Sequence, residues 1–223
     1  MTKRIVGVVS CHALRHYEDD IRSTWAQEIP PDVSLKFFLG RPMVVPSTDE
    51  VLLDVSDKWE GITQKCVEMY RWALEQGFTY LWKCDLDTFV RPQQLLGSGL
   101  ETFDWVGGQN DWFASGGAGY GLSKRAMEYV ASHPVRETCA EDLHTAQALT
   151  GAGISLHADP RFRFIPGQAL ESGDLTMHLS SVRGWAAKYQ PWMMHEAYAA
   201  HGSYRPLGEN PAPVQKREFR RLR

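Results

Sequence analysis

Apolar residues arrive in short unbroken runs along the first third of the chain. Residues 4–10, RIVGVVS, are continuous enough to predict a strand covered on both faces, and SLKFFLG (34–40) and VLLDV (51–55) repeat the signal. Between the first two runs, YEDDIRSTWAQEI predicts a helix. After the third, ITQKCVEMYRWALEQG puts Ile62, Cys66, Tyr70, Ala73 and Leu74 on one helical face, with Gly77 as the stop. A strand from Phe78 to Lys83 follows directly, so strands and helices alternate as in a sheet flanked by helices, an α/β fold.

The second half is less regular. Residues 107–123, GGQNDWFASGGAGYGLS, are glycine-rich and predict a shaped loop, after which Ser123 caps a helix running through His133 and stopped by Pro134. AEDLHTAQALTGAG predicts a helix opened by Glu141 and Asp142 and closed by Gly151, and ISLH (154–157) a last short strand. Beyond Pro160 periodicity is weak, and there is no internal repeat or linker. Residues 1–205 form one expected domain and residues 206–223 a basic tail.

Composition narrows the classes. A chain of 223 residues with 43% apolar content can bury a sizeable core, and a net charge of −3 excludes a globally basic nucleic-acid binder. The last ten residues carry Lys216, Arg217, Arg220, Arg221 and Arg223 against Glu218, a local +4 that leaves −7 for the rest. That tail can touch DNA or another polyanion. No transmembrane run or leader is read, and Cys11, Cys66, Cys84 and Cys139 show no metal-type or paired spacing, so a soluble, cytoplasmic protein with reduced thiols is expected.

Chemistry is suggested by YLWKCDLDTFV (80–90), where an apolar strand runs into Asp85 and Asp87. In open α/β sheets ligands bind beyond the carboxyl ends of strands, and residues two apart on an extended backbone point the same way. Two like charges so placed repel unless a divalent cation such as Mn2+ or Mg2+ joins them, with positions left for phosphate oxygens. The plain alternative is a pair of turn carboxylates: with 13 Asp in the chain, about one Asp-x-Asp arises by chance.

Further segments follow in order: DDIRSTW (19–25), FFLG (37–40), DKWEGITQK (57–65), SGGAGYGLS (115–123) and EDLHTAQAL (141–149). Together with 80–90 they resemble the successive blocks of the β-1,3-galactosyltransferase and Fringe group, glycosyltransferase family 31, over roughly residues 15–180. The resemblance implies a GT-A fold, a Rossmann-like nucleotide-sugar-binding mixed sheet flanked by helices. It also implies a UDP-sugar donor, bound Mn2+ and inversion at the anomeric carbon. Asp87 is then a metal ligand, Asp85 faces the metal or the donor ribose, and His178 in LTMHLS is the further ligand or an ordinary half-buried histidine. Asp142 takes the place of the catalytic base, with Glu141 orienting it or contacting sugar hydroxyls. Gly116 and Gly117 wall the donor sugar, and Arg22, Trp25 and Lys65 border the nucleotide.

Two departures stand out. Leu86 occupies the middle of what is usually three aspartates, and the anchor and cysteine framework of the animal enzymes are missing, which points to a cytosolic bacterial or viral relative. Acceptors consistent with this are a lipid-linked glycan, a protein hydroxyl, or a hydroxymethylated base in phage DNA, the last reached by the basic tail with Lys3 and Arg4. Trp112 and Phe113 stack on a ligand or fill core; Trp185, Tyr189, Trp192 and Tyr198 form an acceptor platform or a hydrophobic cover. A silent glycan- or nucleotide-binding domain and another metal-dependent phosphate-transfer enzyme are the competing classes.

Overall fold

The computed structural model describes residues 2–42, 45–135, 140–165, 170–181 and 190–201. Cys139, Trp185, Tyr189 and the basic tail lie outside the described residues. The strands are β1 (Arg4–Val9), β2 (Val33–Arg41), β3 (Glu50–Ser56), β4 (Tyr80–Asp85), β5 (Thr88–Val90), β6 (Trp105–Gly107), β7 (Gln109–Asn110), β8 (Phe113–Ala114), β9 (Tyr120–Ser123), β10 (His157–Ala158), β11 (Phe162–Arg163) and β12 (Thr176–His178). The helices are α1 (Glu18–Arg22), α2 (Ile62–Glu75), α3 (Pro92–Leu96), α4 (Lys124–Ser132), α5 (Glu141–Gly151) and α6 (Pro191–His201).

Seven strands form a mixed sheet in the order β10-β6-β9-β4-β1-β2-β3, in which β9 alone runs against its neighbours. The chain lays β1, β2 and β3 outward to one side and then returns to place β4 on the other side of β1. The order therefore reverses between β1 and β4, where a crevice opens at the strand ends.

Strand alternation divides the core into two layers. Val6, Val8, Phe37, Leu39, Tyr80 and Trp82 face one side, where Ile21, Trp25, Leu95 and Met194 cover them. Ile5, Phe38 and Leu81 face the other, against α2, α4 and α5. Burial on both faces is why these strands read as unbroken apolar runs rather than alternating ones.

The helix expected over 17–29 is instead a short α1 between two 3-10 turns, His12–Tyr17 and Trp25–Glu28. Ser23 and Thr24 hydroxyls donate back to the carbonyls of Asp19 and Asp20, and Thr24 leaves helical geometry at φ −122°, ψ −118°. In α2 the buried stripe is Thr63, Cys66, Val67, Met69, Tyr70 and Ala73, while Ile62 and Leu74 sit half-buried at its margins. The face is broader than expected because α2 packs on β3, α4 and α5 together. Ser123 caps α4 as anticipated, accepting from the Ala126 N–H. The short strand expected at 154–157 lies at His157–Ala158, because Gly153 turns at φ +71° and Ile154 donates back to Leu149 to close α5, and it is not the last, since β11 and β12 follow. The glycine-rich stretch is not all loop: it carries the β7–β8 hairpin and β9, an interior strand.

A second sheet, β11-β12-β5, stands beside the first. It runs β12 antiparallel to β5 in the register His178 opposite Thr88. That pairing brings residue 178 to the end of β4.

Candidate active site

A cleft of about 880 Å3 opens at the carboxyl ends of β1 and β4. Its lining includes Ser10 and Cys11 after β1, Asp57 to Glu60 after β3, Asp85 to Asp87 after β4, Gly116 and Gly117, Glu141 and Asp142, and His178. The predicted site residues Lys65, Asp85, Asp87, Gly116, Gly117, Glu141, Asp142 and His178 are thus brought together. Arg22 is not among them.

Asp85 and Asp87 do not share one extended face, contrary to the expectation from an i, i+2 spacing. β4 ends at Asp85 and the chain turns at Leu86–Asp87, the turn being closed by the Asp85 N–H donating to Thr88 Oγ1 at 2.9 Å. Leu86 joins the apolar core beneath the cleft. It also lines the floor of the cleft.

Asp87 Oδ2 lies 3.0 Å from His178 Nε2 and also accepts from the Ser180 hydroxyl. Burial pushes the Asp87 carboxyl upward, but these hydrogen bonds outweigh it and hold the group below the usual carboxylate range. Burial works against the His178 cation too, yet Asp87 prevails and raises the imidazole above its ordinary value. A divalent cation here would be held by the Asp87 carboxylate and the His178 imidazole, a donor set suited to Mn2+. Among the described residues, no group of three His, Cys, Asp or Glu side chains stands assembled as a ligand cluster. Asp85 is turned instead toward Lys83, whose Nζ is 2.8 Å from Asp85 Oδ1.

Lys83 is the residue the sequence reading passed over. It is fully buried on β4, and its Nζ also meets Glu141 Oε1 at 2.5 Å and Gly116 O at 3.1 Å. Burial opposes the ammonium, but Asp85 and Glu141 outweigh it and keep the lysine charged. The signal was present as a lysine in the middle of an otherwise apolar strand. Glu141 is saturated by this arrangement, since its Oε2 accepts from Tyr120 OH at 2.7 Å and that hydroxyl meets Tyr70 OH at 2.7 Å. Burial raises Glu141 to about 6 against the pull of Lys83. These bonds tie the start of α5 to β4 and β9, and none of them runs to Asp142. Asp142 faces the cleft, accepting from the backbone N–H of Gly116 at 3.2 Å and of Leu143 at 2.9 Å.

The two glycines make room for side chains of the site itself. A Cβ on Gly116 would stand 2.2 Å from Glu141 Oε1, and one on Gly117 2.6 Å from the His178 ring. Both glycines line the cleft, and their lack of a Cβ makes room for these two side chains.

On the β1–β3 side, Lys65 is buried and committed, donating to Ser10 O at 2.7 Å and to Asp57 Oδ1 at 2.6 Å. Asp57 also accepts from the His12 and Gly40 N–H groups; burial raises it, and these bonds win and lower it. Arg22 is drawn away by carboxylates, donating to Glu18, Asp19 and Asp49, and Trp25 is wholly buried core. Phe113 packs on the second core layer and Trp112 is exposed, neither lining the cleft. Trp192 is exposed on α6, and Tyr198 packs on the first core layer. Trp59, exposed and lining the cleft, was missed.

The cleft is lined by the carboxylates of Asp57, Glu60, Asp85, Asp87, Glu141 and Asp142 against two lysines, Lys58 and Lys65, with Lys83 behind the wall. An anionic ligand entering it needs a cation alongside. No protein-family model matches the chain, and no curated protein matches it. No helix among the described residues is long and apolar enough to cross a membrane.

Proposed function

We propose that the chain is an inverting, metal-dependent glycosyltransferase of GT-A type that moves a sugar from a UDP-sugar to an acceptor hydroxyl. One observation carries this reading: carboxylates and an imidazole from β4, the turn after it, α5 and β12 line a single cleft at the switch point of the sheet. Asp87 and His178 hold Mn2+ or Mg2+, with Asp85 alongside against Lys83. When bound, the ion supplies a Lewis acid for the charge that grows on the departing diphosphate.

Asp142 accepts the proton of the acceptor hydroxyl while that oxygen bonds to the anomeric carbon. The bond from this carbon to the diphosphate oxygen breaks, and its electron pair leaves with the diphosphate. Two backbone N–H groups hold the Asp142 carboxylate, and Glu141, locked on Lys83 and Tyr120, fixes the helix turn that carries it.

The test is release of UDP from a panel of UDP-sugars with Mn2+, with and without hydroxymethylated DNA, the acceptor to which the basic last ten residues direct attention first. Metal-dependent release that rises with this DNA supports transfer to a base. Slow release indifferent to DNA keeps the donor chemistry and moves the acceptor to glycans or proteins. No release with any donor favours a binding domain, and phosphate transfer in place of sugar transfer a different enzyme. Asp142→Asn is expected to keep UDP binding while transfer falls about a hundred-fold or more; retained transfer would remove Asp142 as the base.

A further inference from the structure

Trp59 is the most exposed Trp, Tyr or Phe among the described residues, at 66%, and it lines the cleft. Leu14, 41% exposed, lines it too. The two segments are tied by the His12 N–H donating to Asp57 Oδ2 at 2.6 Å, and the turn that carries Trp59 is closed by the Gly61 N–H donating to Lys58 O at 2.9 Å. The exposed indole is therefore carried on a braced turn. Next to it is Lys58, exposed and without an ion pair among the described residues, whereas Lys65 and Lys83 are both tied to carboxylates. A large aromatic left open beside an unpaired ammonium, in a cleft otherwise rich in carboxylates, has the form of a recognition element.

We infer that Trp59 is the stacking platform for the nucleobase of a nucleoside diphosphate, with the Lys58 ammonium meeting its phosphates. This rests on the reading of the cleft as a nucleotide-sugar site and assigns its far end. Trp59 follows β3, on the β1–β3 side of the switch point, while Asp142 and His178 come from α5 and β12 on the β4 side. The base is the part of such a donor farthest from the bond that breaks, so the indole meets the base and not the sugar being transferred. Every base has a flat face, so Trp59 supplies affinity and leaves the choice among bases to other groups.

The experiment is calorimetric titration of the full chain with UDP, UMP and inorganic pyrophosphate, each with Mn2+, on the wild type and on Trp59→Ala, Trp59→Phe and Lys58→Ala. Trp59→Ala is expected to weaken UDP and UMP about ten-fold or more and leave pyrophosphate unchanged, with Trp59→Phe recovering most of the loss. Lys58→Ala is expected to weaken UDP and pyrophosphate alike. Trp112→Ala, at an exposed indole outside the cleft, should change nothing. Unaltered UDP binding in Trp59→Ala overturns the inference, as does loss of UDP and pyrophosphate in equal measure. Turnover tells the two readings apart. Stacking with no sugar release leaves Trp59 in place and sinks the transferase; sugar release unaffected by Trp59→Ala does the reverse.

Discussion

Gly117 shows how tightly single atoms are placed at this site. The first carbon of any side chain there would stand 2.6 Å from the His178 ring, and the ring cannot yield without leaving Asp87, 3.0 Å away. Gly117→Ala is therefore expected to lower Mn2+ affinity about ten-fold or more, since metal ligands lose affinity when their orientation is disturbed. Titration of the variant with Mn2+ checks this, and unchanged affinity would take His178 out of the ligand set. The glycine pair was visible in the sequence as a cleft wall, but not its closest neighbours: a Cβ there would meet Glu141 and His178. Lys83 was hidden for a related reason. Inside YLWKCD the only nearby carboxylate is Asp85, and the second counter-ion, Glu141, is 58 residues away on α5. Arg22 erred the other way, since its charge suggested phosphate while Glu18, Asp19 and Asp49 were already near enough to claim it.

Elements of unequal length were unequally readable. β1, β2, β3 and β4 are six to nine residues long and largely apolar, β1 and β4 being buried on both faces, so their apolar runs gave them away. β5 and β12 have three residues each, too few for any period to show, yet their antiparallel pairing is what joins His178 to Asp87. Thr88 is the fastener of this arrangement. Its buried hydroxyl accepts from the Asp85 N–H and donates to Gly117 O, both at 2.9 Å, so it binds the carboxylate turn to the glycine loop. Thr88→Val keeps the shape and removes both bonds, leaving a backbone donor and acceptor without partners. A loss of about 1–3 kcal/mol is expected in urea unfolding, with an unchanged slope. Mn2+ affinity should fall with it, because the turn that carries Asp87 is released from the loop beside His178. A stability loss with intact Mn2+ affinity would make Thr88 a structural residue only.

At the scale of the whole molecule, the sheet is held to its first helical segment by an ionic cluster outside the cleft. Glu18 is completely buried; its Oε1 accepts from Ser10 Oγ at 2.6 Å, at the end of β1, and its Oε2 from Arg22 at 2.8 Å. Glu50, at the start of β3, accepts two bonds from Arg15. Burial and the neighbouring Glu50 raise Glu18 to about 7 despite Ser10 and Arg22, while Glu50 is held low, chiefly by Arg15 against its own burial. Two carboxyls that share an environment cannot both ionise at no cost, and here Glu18 keeps the proton. The folded chain therefore holds a proton that the unfolded chain releases near pH 4.3. This contribution is complete below that value and is lost as pH rises through about 7. The resulting decline is on the order of 2 kcal/mol between about pH 5 and pH 8, or roughly 5 °C in melting temperature for a chain of this size. Glu18→Gln mimics the protonated acid at every pH, so its melting temperature is expected to match the wild type near pH 5 and exceed it near pH 8. Thermal unfolding of both proteins across that range is the check. Parallel curves would mean that Glu18 is ionised in the folded state and that Arg22, not the proton, balances its charge.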